Sequence, residues 1–222
     1  MEEFNPEKYK KNSIEDFSQP EGGRGLAMYE KHFSFQNEEL EGKDILDLGA
    51  GPEAKFDKEL RQSGIKAHVI SLSPDFSDER YRRKALISNP EANLVAAVGQ
   101  EIPFKNESFD IVFALHVMEH VFLIEAPLTN ATKIIEEIAR VLKIGGKGYL
   151  SPLIQEEYMA ITNDRNLTRV LKKNGVRISM EFLPPGLMPK KRVYDSTGLP
   201  NGMVDAIRIV LEKENKYYGK EF

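Results

Sequence analysis

Two kinds of apolar run alternate along this chain. Short runs such as FDIVFAL at 109–115 and AHVISL at 67–72 carry the signature of strands buried on both faces, whereas IIEEIARVL at 134–142 repeats its apolar residues three and four apart, as an amphipathic helix does. The pattern predicts strands at about 44–48, 67–72, 93–97, 109–115, 147–153, 176–183 and 204–212, with helices near 53–63, 76–88, 130–143 and 165–174. Strands alternating with helices predict an α/β domain, a mostly parallel sheet with helices on both faces. The final two strands differ, because the connection 184–203 is broken repeatedly by Pro and Gly and leaves no room for a crossover helix. They are expected to pair antiparallel.

Composition narrows this picture. The 222 residues, 41% of them hydrophobic, suffice for one α/β domain with a sizeable core and are too few for two. The absence of cysteine excludes a disulfide framework, a thiolate nucleophile and a cysteine-held zinc or iron–sulfur centre. The first thirty residues are polar and no segment approaches a membrane span, so a cytoplasmic protein without membrane partners is expected. A net charge of −4 gives no global attraction to nucleic acid, and the basic run Arg80-Tyr81-Arg82-Arg83-Lys84 reads as an exposed helix face. Oligomeric state leaves no signature.

The chemistry concentrates where strands end. Residues 44–51, DILDLGAG, run an apolar strand into Asp47 and two closely spaced glycines, Gly49 and Gly51, a turn in which missing side chains let backbone N–H groups approach a nucleotide. Residues 49–54, GAGPEA, also satisfy the dinucleotide fingerprint, which leaves an NAD(P)-dependent oxidoreductase open at this point. Two further blocks follow, IPFKNESFDIVFALHVMEHV at 102–121 and IIEEIARVLKIGGKGYLS at 134–151. With the three in this order, over about residues 40–213, the chain resembles the class I S-adenosylmethionine-dependent methyltransferases. A dehydrogenase has no reason to carry the second and third blocks together.

The resemblance implies a Rossmann-like, three-layer α/β/α sandwich whose seven-stranded, mostly parallel sheet has an antiparallel last strand, with residues 1–39 as an N-terminal extension or cap and 40–222 as the methyltransferase domain. It implies S-adenosylmethionine as cofactor. The methionine end falls to Asp47, Gly49, Ala50 and Gly51, the ribose to Ser71 and Leu72, and the adenine to Gly99, Gln100, Glu101 and Ile102. Leu115 and His116, at the end of the fourth strand, complete the set. This chain departs from the family pattern at three of these places. Glu53 stands where a third glycine is common, Ser71 replaces the ribose-binding acid and Val98 replaces the adenine-binding Asp. A hydroxyl cannot match the bidentate charged acceptor that a carboxylate supplies. Gln100 is the side chain expected to take over the lost acceptor.

Residues 116–120 also spell H-x-x-E-H, a zinc motif when both histidines lie on one helix. Here a buried strand precedes it directly, so His116 is expected at the strand tip and His120 a turn beyond, diverging in space, with no metal required. Ligands of open α/β sheets lie beyond the carboxyl ends of the strands, which makes His116 the candidate catalytic base. The expected reaction is O-methylation of a small molecule or saccharide intermediate. A methyltransferase-like binding protein without catalysis is the main competing reading. Selection of the acceptor is expected from residues 14–36, including Arg24, and from the 184–203 connection with Lys190, Lys191, Arg192 and Tyr194.

Overall fold

Strand edges and helix caps account for most of the architecture of the protein, seen in a computed structural model that describes residues 24–122, 125–184, 187 and 206–214. Residues 14–23 of the expected cap and nearly all of 184–203, with Lys190, Lys191, Arg192 and Tyr194, lie outside the described residues. Strands β1 (Asp44–Leu48), β2 (His68–Leu72), β3 (Asn93–Val95), β4 (Phe109–Leu115), β5 (Leu142–Leu153), β6 (Val176–Phe182) and β7 (Ile207–Lys213) form one sheet in the order β3-β2-β1-β4-β5-β7-β6. β1 to β5 are mutually parallel, and β7 runs antiparallel to both β5 and β6. This is the sheet that the resemblance implies.

Helices α1 (Leu26–Phe33), α2 (Lys55–Gln62), α3 (Glu79–Ser88), α4 (Met118–Val121), α5 (Pro127–Val141), α6 (Gln155–Thr162) and α7 (Arg165–Asn174) surround it. Among the described residues no helix is long and apolar enough to cross a membrane. The alternation within each strand divides the interior in two. Leu46, Leu48, Val112 and Ala114 meet Ile134, Ile135 and Ile138 of α5, while Ile45, Val69, Phe113 and Leu115 meet Tyr29 and Phe33 of α1 and Phe56 of α2.

The largest departures from the expected elements have local causes. The helix expected from 53 begins only at Lys55, because residues 51–54 turn and Ala54 is left-handed at φ 45°. Pro52 therefore serves the turn rather than the first helical turn. The segment expected as one helix over 76–88 splits into a 3-10 turn at Pro74–Ser77 and α3, whose N-terminus the Asp78 side chain caps. β5 starts five residues before the expected 147, since register passes from Phe109 opposite Leu142 to Ile111 opposite Lys147 and the intervening residues bulge through Gly145, at φ +81°. β3 stops at Val95, two residues short. Helix α1 was not foreseen at all. It lacks a capping side chain of its own, and Glu59 of α2 supplies one from a distance, accepting the Leu26 N–H at 2.6 Å.

Charged side chains brace the end of the sheet opposite the glycine turn. Lys143 bridges Asp110 at 2.8 Å and Asp44 at 2.6 Å, tying β1 to β4, and holds the Asp110 carboxyl below the usual carboxylate range against the opposing effect of burial. Lys213 is only 6% exposed and donates to the Leu142 carbonyl at 2.8 Å and the Ala139 carbonyl at 3.3 Å, where α5 ends with unsatisfied acceptors. Arg140 and Glu137 of α5 pin the loop before β4. Arg140 donates to the Ile102 and Phe104 carbonyls, and Glu137 accepts the Ile102 N–H at 2.8 Å. The third sequence block is thus architectural.

Phe113 is fully buried between Phe33, Phe35, Tyr29, Phe56 and Tyr149. Replacing it by alanine removes the floor under α1, with an expected cost of about 3–5 kcal/mol. Urea denaturation should show the midpoint falling with an unchanged slope. A loss under about 1 kcal/mol would mean that α1 does not rest on this ring.

Candidate functional site

The carboxyl ends of β1, β4 and β5 meet α1, and the glycine turn that follows β1 is bound to the end of β2. Gly49 and Gly51 have φ of +74° and +72°, which only glycine adopts without strain. The N–H groups of Gly49 and Ala50 do not face outward as expected. Both donate to the Leu72 carbonyl, at 2.7 and 3.2 Å, and so bind the turn to β2. The missing side chain at Gly49 makes room for Val117, whose Cγ2 lies 2.6 Å from where a Cβ would stand. What lies on the turn is Arg24, whose guanidinium donates to the Gly49 carbonyl and approaches within 3.4 Å of the corresponding position at Gly51. Ala50 packs into a small cluster with Phe76 and Ala85.

Beside the turn, Asp47 is fully buried and accepts the Tyr29 hydroxyl on Oδ1. Its other oxygen, Oδ2, and the hydroxyl of Ser71 are both buried without a hydrogen-bond partner among the described residues. The two residues are register partners on β1 and β2, so two unmet polar groups stand side by side at the strand ends. Burial raises the Asp47 carboxyl to about 6, against the Tyr29 hydrogen bond and the Arg24 charge, which both favour the anion. The Tyr29 phenol is pushed well above its ordinary value, by burial first and then by Asp47.

Further along, Val98 is buried and Gly99 lies against Ile134 and Leu48. The Gln100 amide donates to Asn130 Oδ1 at 3.2 Å, fastening this stretch to α5 and leaving its carbonyl oxygen as the accepting end. Glu101 is exposed. Leu72 and Leu115 bury their side chains completely in the two cores, where they pack the sheet.

At the tip of β4 the backbone turns through His116, which is left-handed at φ +57°, an uncommon conformation for a residue with a side chain. Its N–H donates to the Ser151 carbonyl at 2.6 Å and its Nδ1 pairs with Glu119 Oε1 on α4. His32, on α1, sets its ring 5.3 Å from the His116 ring and its Nδ1 2.8 Å from the Ser151 hydroxyl. Arg208 of β7 donates to the His32 carbonyl at 3.2 Å. Burial lowers His32 to about 4, the neighbouring His116 acts in the same direction, and Glu119 opposes both. Within H-x-x-E-H the first histidine and the glutamate pair, while His120 sits exposed on α4. Among the described residues no group of three or more His, Asp or Glu side chains is arranged to hold a metal ion.

His32, Glu119 and Ser151 were missed by sequence reasoning, as was the placement of Arg24 and Tyr29 at the turn. The available signal was LAMYEKHF at 26–33, in which Leu26, Tyr29 and Phe33 share a helix face with His32 beside it.

The methyltransferase domain family matches residues 46–150. The chain is similar to sterol 4-C-methyltransferase strm-1 of Caenorhabditis elegans, at 24% identity over 68% of this chain and 41% of that protein. It is also similar to the malonyl-[acyl-carrier protein] O-methyltransferase of Legionella pneumophila, at 31% identity over 46% and 33%. The chain spans less than half the length of either relative. In fold it is similar to a SAM-dependent methyltransferase of Methanosarcina mazei, with a TM-score of 0.53 and 17% identity over 79% of this chain and 94% of that one.

Asp47 and His32 oppose one another in their effect on stability. An acid whose folded value lies near 6 binds more protons folded than unfolded between about pH 4 and 6, so its contribution falls as pH rises through that window. A histidine whose folded value is lowered to about 4 binds fewer protons folded, so its contribution grows as pH rises from about 4 to 6.5. Each effect is on the order of 3 kcal/mol. Relative to the unmodified protein, D47N should therefore gain stability as pH rises from 4 to 6.5 and H32Q should lose it, as read from urea unfolding at each pH. Parallel profiles for all three proteins would show that neither group is held as described.

Proposed function

We propose, from the premise that this chain belongs to the class I S-adenosylmethionine-dependent methyltransferases, that it methylates an oxygen of a small molecule or saccharide intermediate. The observation that carries the oxygen assignment is His116, held at the carboxyl end of β4 by the Ser151 carbonyl, where an acceptor of this fold approaches. A histidine there suits removal of a hydroxyl proton.

The residues at the strand ends fit the cofactor. Two buried polar atoms, Asp47 Oδ2 and Ser71 Oγ, lack partners beside the glycine turn, as donors and acceptors reserved for a ligand do. Arg24, a cation laid on the glycine turn, would hold the methionine carboxylate, Ser71 would make one hydrogen bond to a ribose hydroxyl, and the Gly99 to Ile102 stretch with the Gln100 carbonyl would meet adenine. When bound, S-adenosylmethionine supplies an activated methyl group on a sulfonium. The protein's share is then to align the acceptor, to exclude water beneath α1 and to take the acceptor proton on His116. Nothing in that share calls for a metal. Net charge gives no general attraction for nucleic acid.

A second reading, a methyltransferase-like protein that binds without turnover, is favoured by one observation: Ser71 and Val98 stand where acids anchor adenosine in the pattern it resembles. Calorimetry separates the two. S-adenosylmethionine and S-adenosylhomocysteine should bind and NAD should not, and chelators should change neither affinity nor stability. Ser71→Asp should tighten S-adenosylhomocysteine by roughly tenfold through a charged hydrogen bond. It should also lower the melting temperature, because it sets a second carboxylate opposite Asp47. H116N should keep cofactor affinity while methyl transfer to a hydroxyl acceptor falls by about a hundredfold or more. No binding of S-adenosylhomocysteine at millimolar concentration would end the catalytic reading.

A further inference from the structure

His116 can take a proton only through a ring nitrogen that carries a lone pair, and the structure assigns that nitrogen as Nε2, with Glu119 as the residue that positions it. This inference rests on the methyl-transfer reading and concerns how the proposed base is prepared. An ionised carboxylate only accepts hydrogen bonds, so the oxygen of Glu119 facing Nδ1 requires the proton there. A neutral imidazole holds one proton, and with Nδ1 protonated Nε2 is the accepting atom.

The pair is built into the site rather than laid on the surface. The His116 and Glu119 side chains are 19% and 9% exposed, so water competes little for the hydrogen bond. Glu119 lies three residues on, within the first turn of α4, and the left-handed backbone at His116 is what sends the chain from the end of β4 into that turn. The strain of that conformation is held by the Ser151 carbonyl, which accepts the His116 N–H. From α1, His32 bounds the ring edge-on at an interplanar angle of 65°. The low value of His32 keeps that neighbour neutral, so no fixed cation stands beside the imidazolium that forms.

Charge and atoms balance across the step. As the acceptor oxygen forms its bond to the methyl carbon with its own electron pair, its proton passes to Nε2, and the carbon–sulfur pair remains on sulfur. One positive charge thus leaves the sulfonium and one appears on His116, where the Glu119 carboxylate faces it in a charge-assisted hydrogen bond. The partly exposed ring then returns the proton to water. Glu119 acts through His116 and is a positioning residue.

Nitrogen-15 correlation spectra of the imidazole rings test this without any acceptor. The uniformly labelled full chain is measured at a pH where the ring is neutral by its own titration, with H116Q identifying the signal. The expected result is His116 in the Nδ1–H form, reverting in E119L, which has no acceptor, to the Nε2–H form that histidine favours in water, and retaining Nδ1–H in E119D. An Nε2–H ring in the unmodified protein would overturn the inference, and so would an Nδ1–H ring that persists in E119L. Because the first spectrum needs no variant, a poorly folding E119L does not rescue the idea. S-adenosylhomocysteine titration of the same sample reports separately. Absent binding defeats the methyl-transfer reading whatever the tautomer, and the wrong tautomer with intact binding defeats only the role given to Glu119.

Discussion

Phe113 stacks on Phe33 at 4.9 Å and meets Tyr29 and Phe56 edge-on, and this aromatic contact holds α1 against the middle of the sheet. Both halves of the site hang from it. One turn of α1 carries Tyr29 to Asp47, the residue before the helix cap carries Arg24 to the glycine turn, and the last turn carries His32 to Ser151 and His116. Helical spacing explains why these reach different strands: Tyr29 and His32 are three apart, so they share a face while standing about 4.5 Å apart along the axis. Slippage of α1 by one turn would carry all of these contacts away together.

The same burial that orders the site works against the charges it contains. Asp47 and His32 are each held against their preferred charge state, the acid raised and the base lowered, because burial where α1 meets the sheet removes their water. Stability is supplied away from the site, by Lys143 between Asp44 and Asp110, by Lys213 on the end of α5 and by Arg140 on the loop before β4. Those contacts lie toward the opposite end of the sheet or on the α5 side. The division suits a fold in which polar groups at the strand ends are held against their preference while the rest of the scaffold is not.

Much of this was legible in the sequence. The strands β1 and β4 and helix α7 have the expected bounds, because the two strands are clean apolar runs, with Gly49 stopping β1, and α7 lies between Asp164, which caps it, and Gly175. Helix α1 was illegible for a physical reason, since its cap comes from Glu59 and its amphipathic face is only eight residues long. The glycine turn follows β1 as the sequence pattern has it, and two of its N–H groups, those of Gly49 and Ala50, donate to the Leu72 carbonyl of β2. Which N–H groups a turn leaves open depends on the neighbouring strand, and the Leu72 carbonyl that occupies two of them is 22 or more residues away in sequence. His116 could be placed at a strand end from sequence. Its pairing with Glu119 could not, because that follows from a left-handed residue with no side-chain signature.

These corrections change how the proposed cofactor would be held. With the Gly49 and Ala50 N–H groups committed to β2, and Ser71 and Val98 in place of acids, the turn and the strand ends retain little fixed charge of their own. What remains is Asp47 at the end of β1, hydrogen-bonded by Tyr29 of α1, and the Arg24 guanidinium, which the approach to α1 lays on the Gly49 carbonyl. In the methyl-transfer reading, cofactor affinity is therefore coupled to the docking of α1. The same docking places His32 beside the base. A cofactor that draws Arg24 inward would press α1 onto the sheet and secure His32 and Ser151 against His116, so loading of the donor and preparation of the acceptor side would be coupled through one helix rather than through the glycine turn.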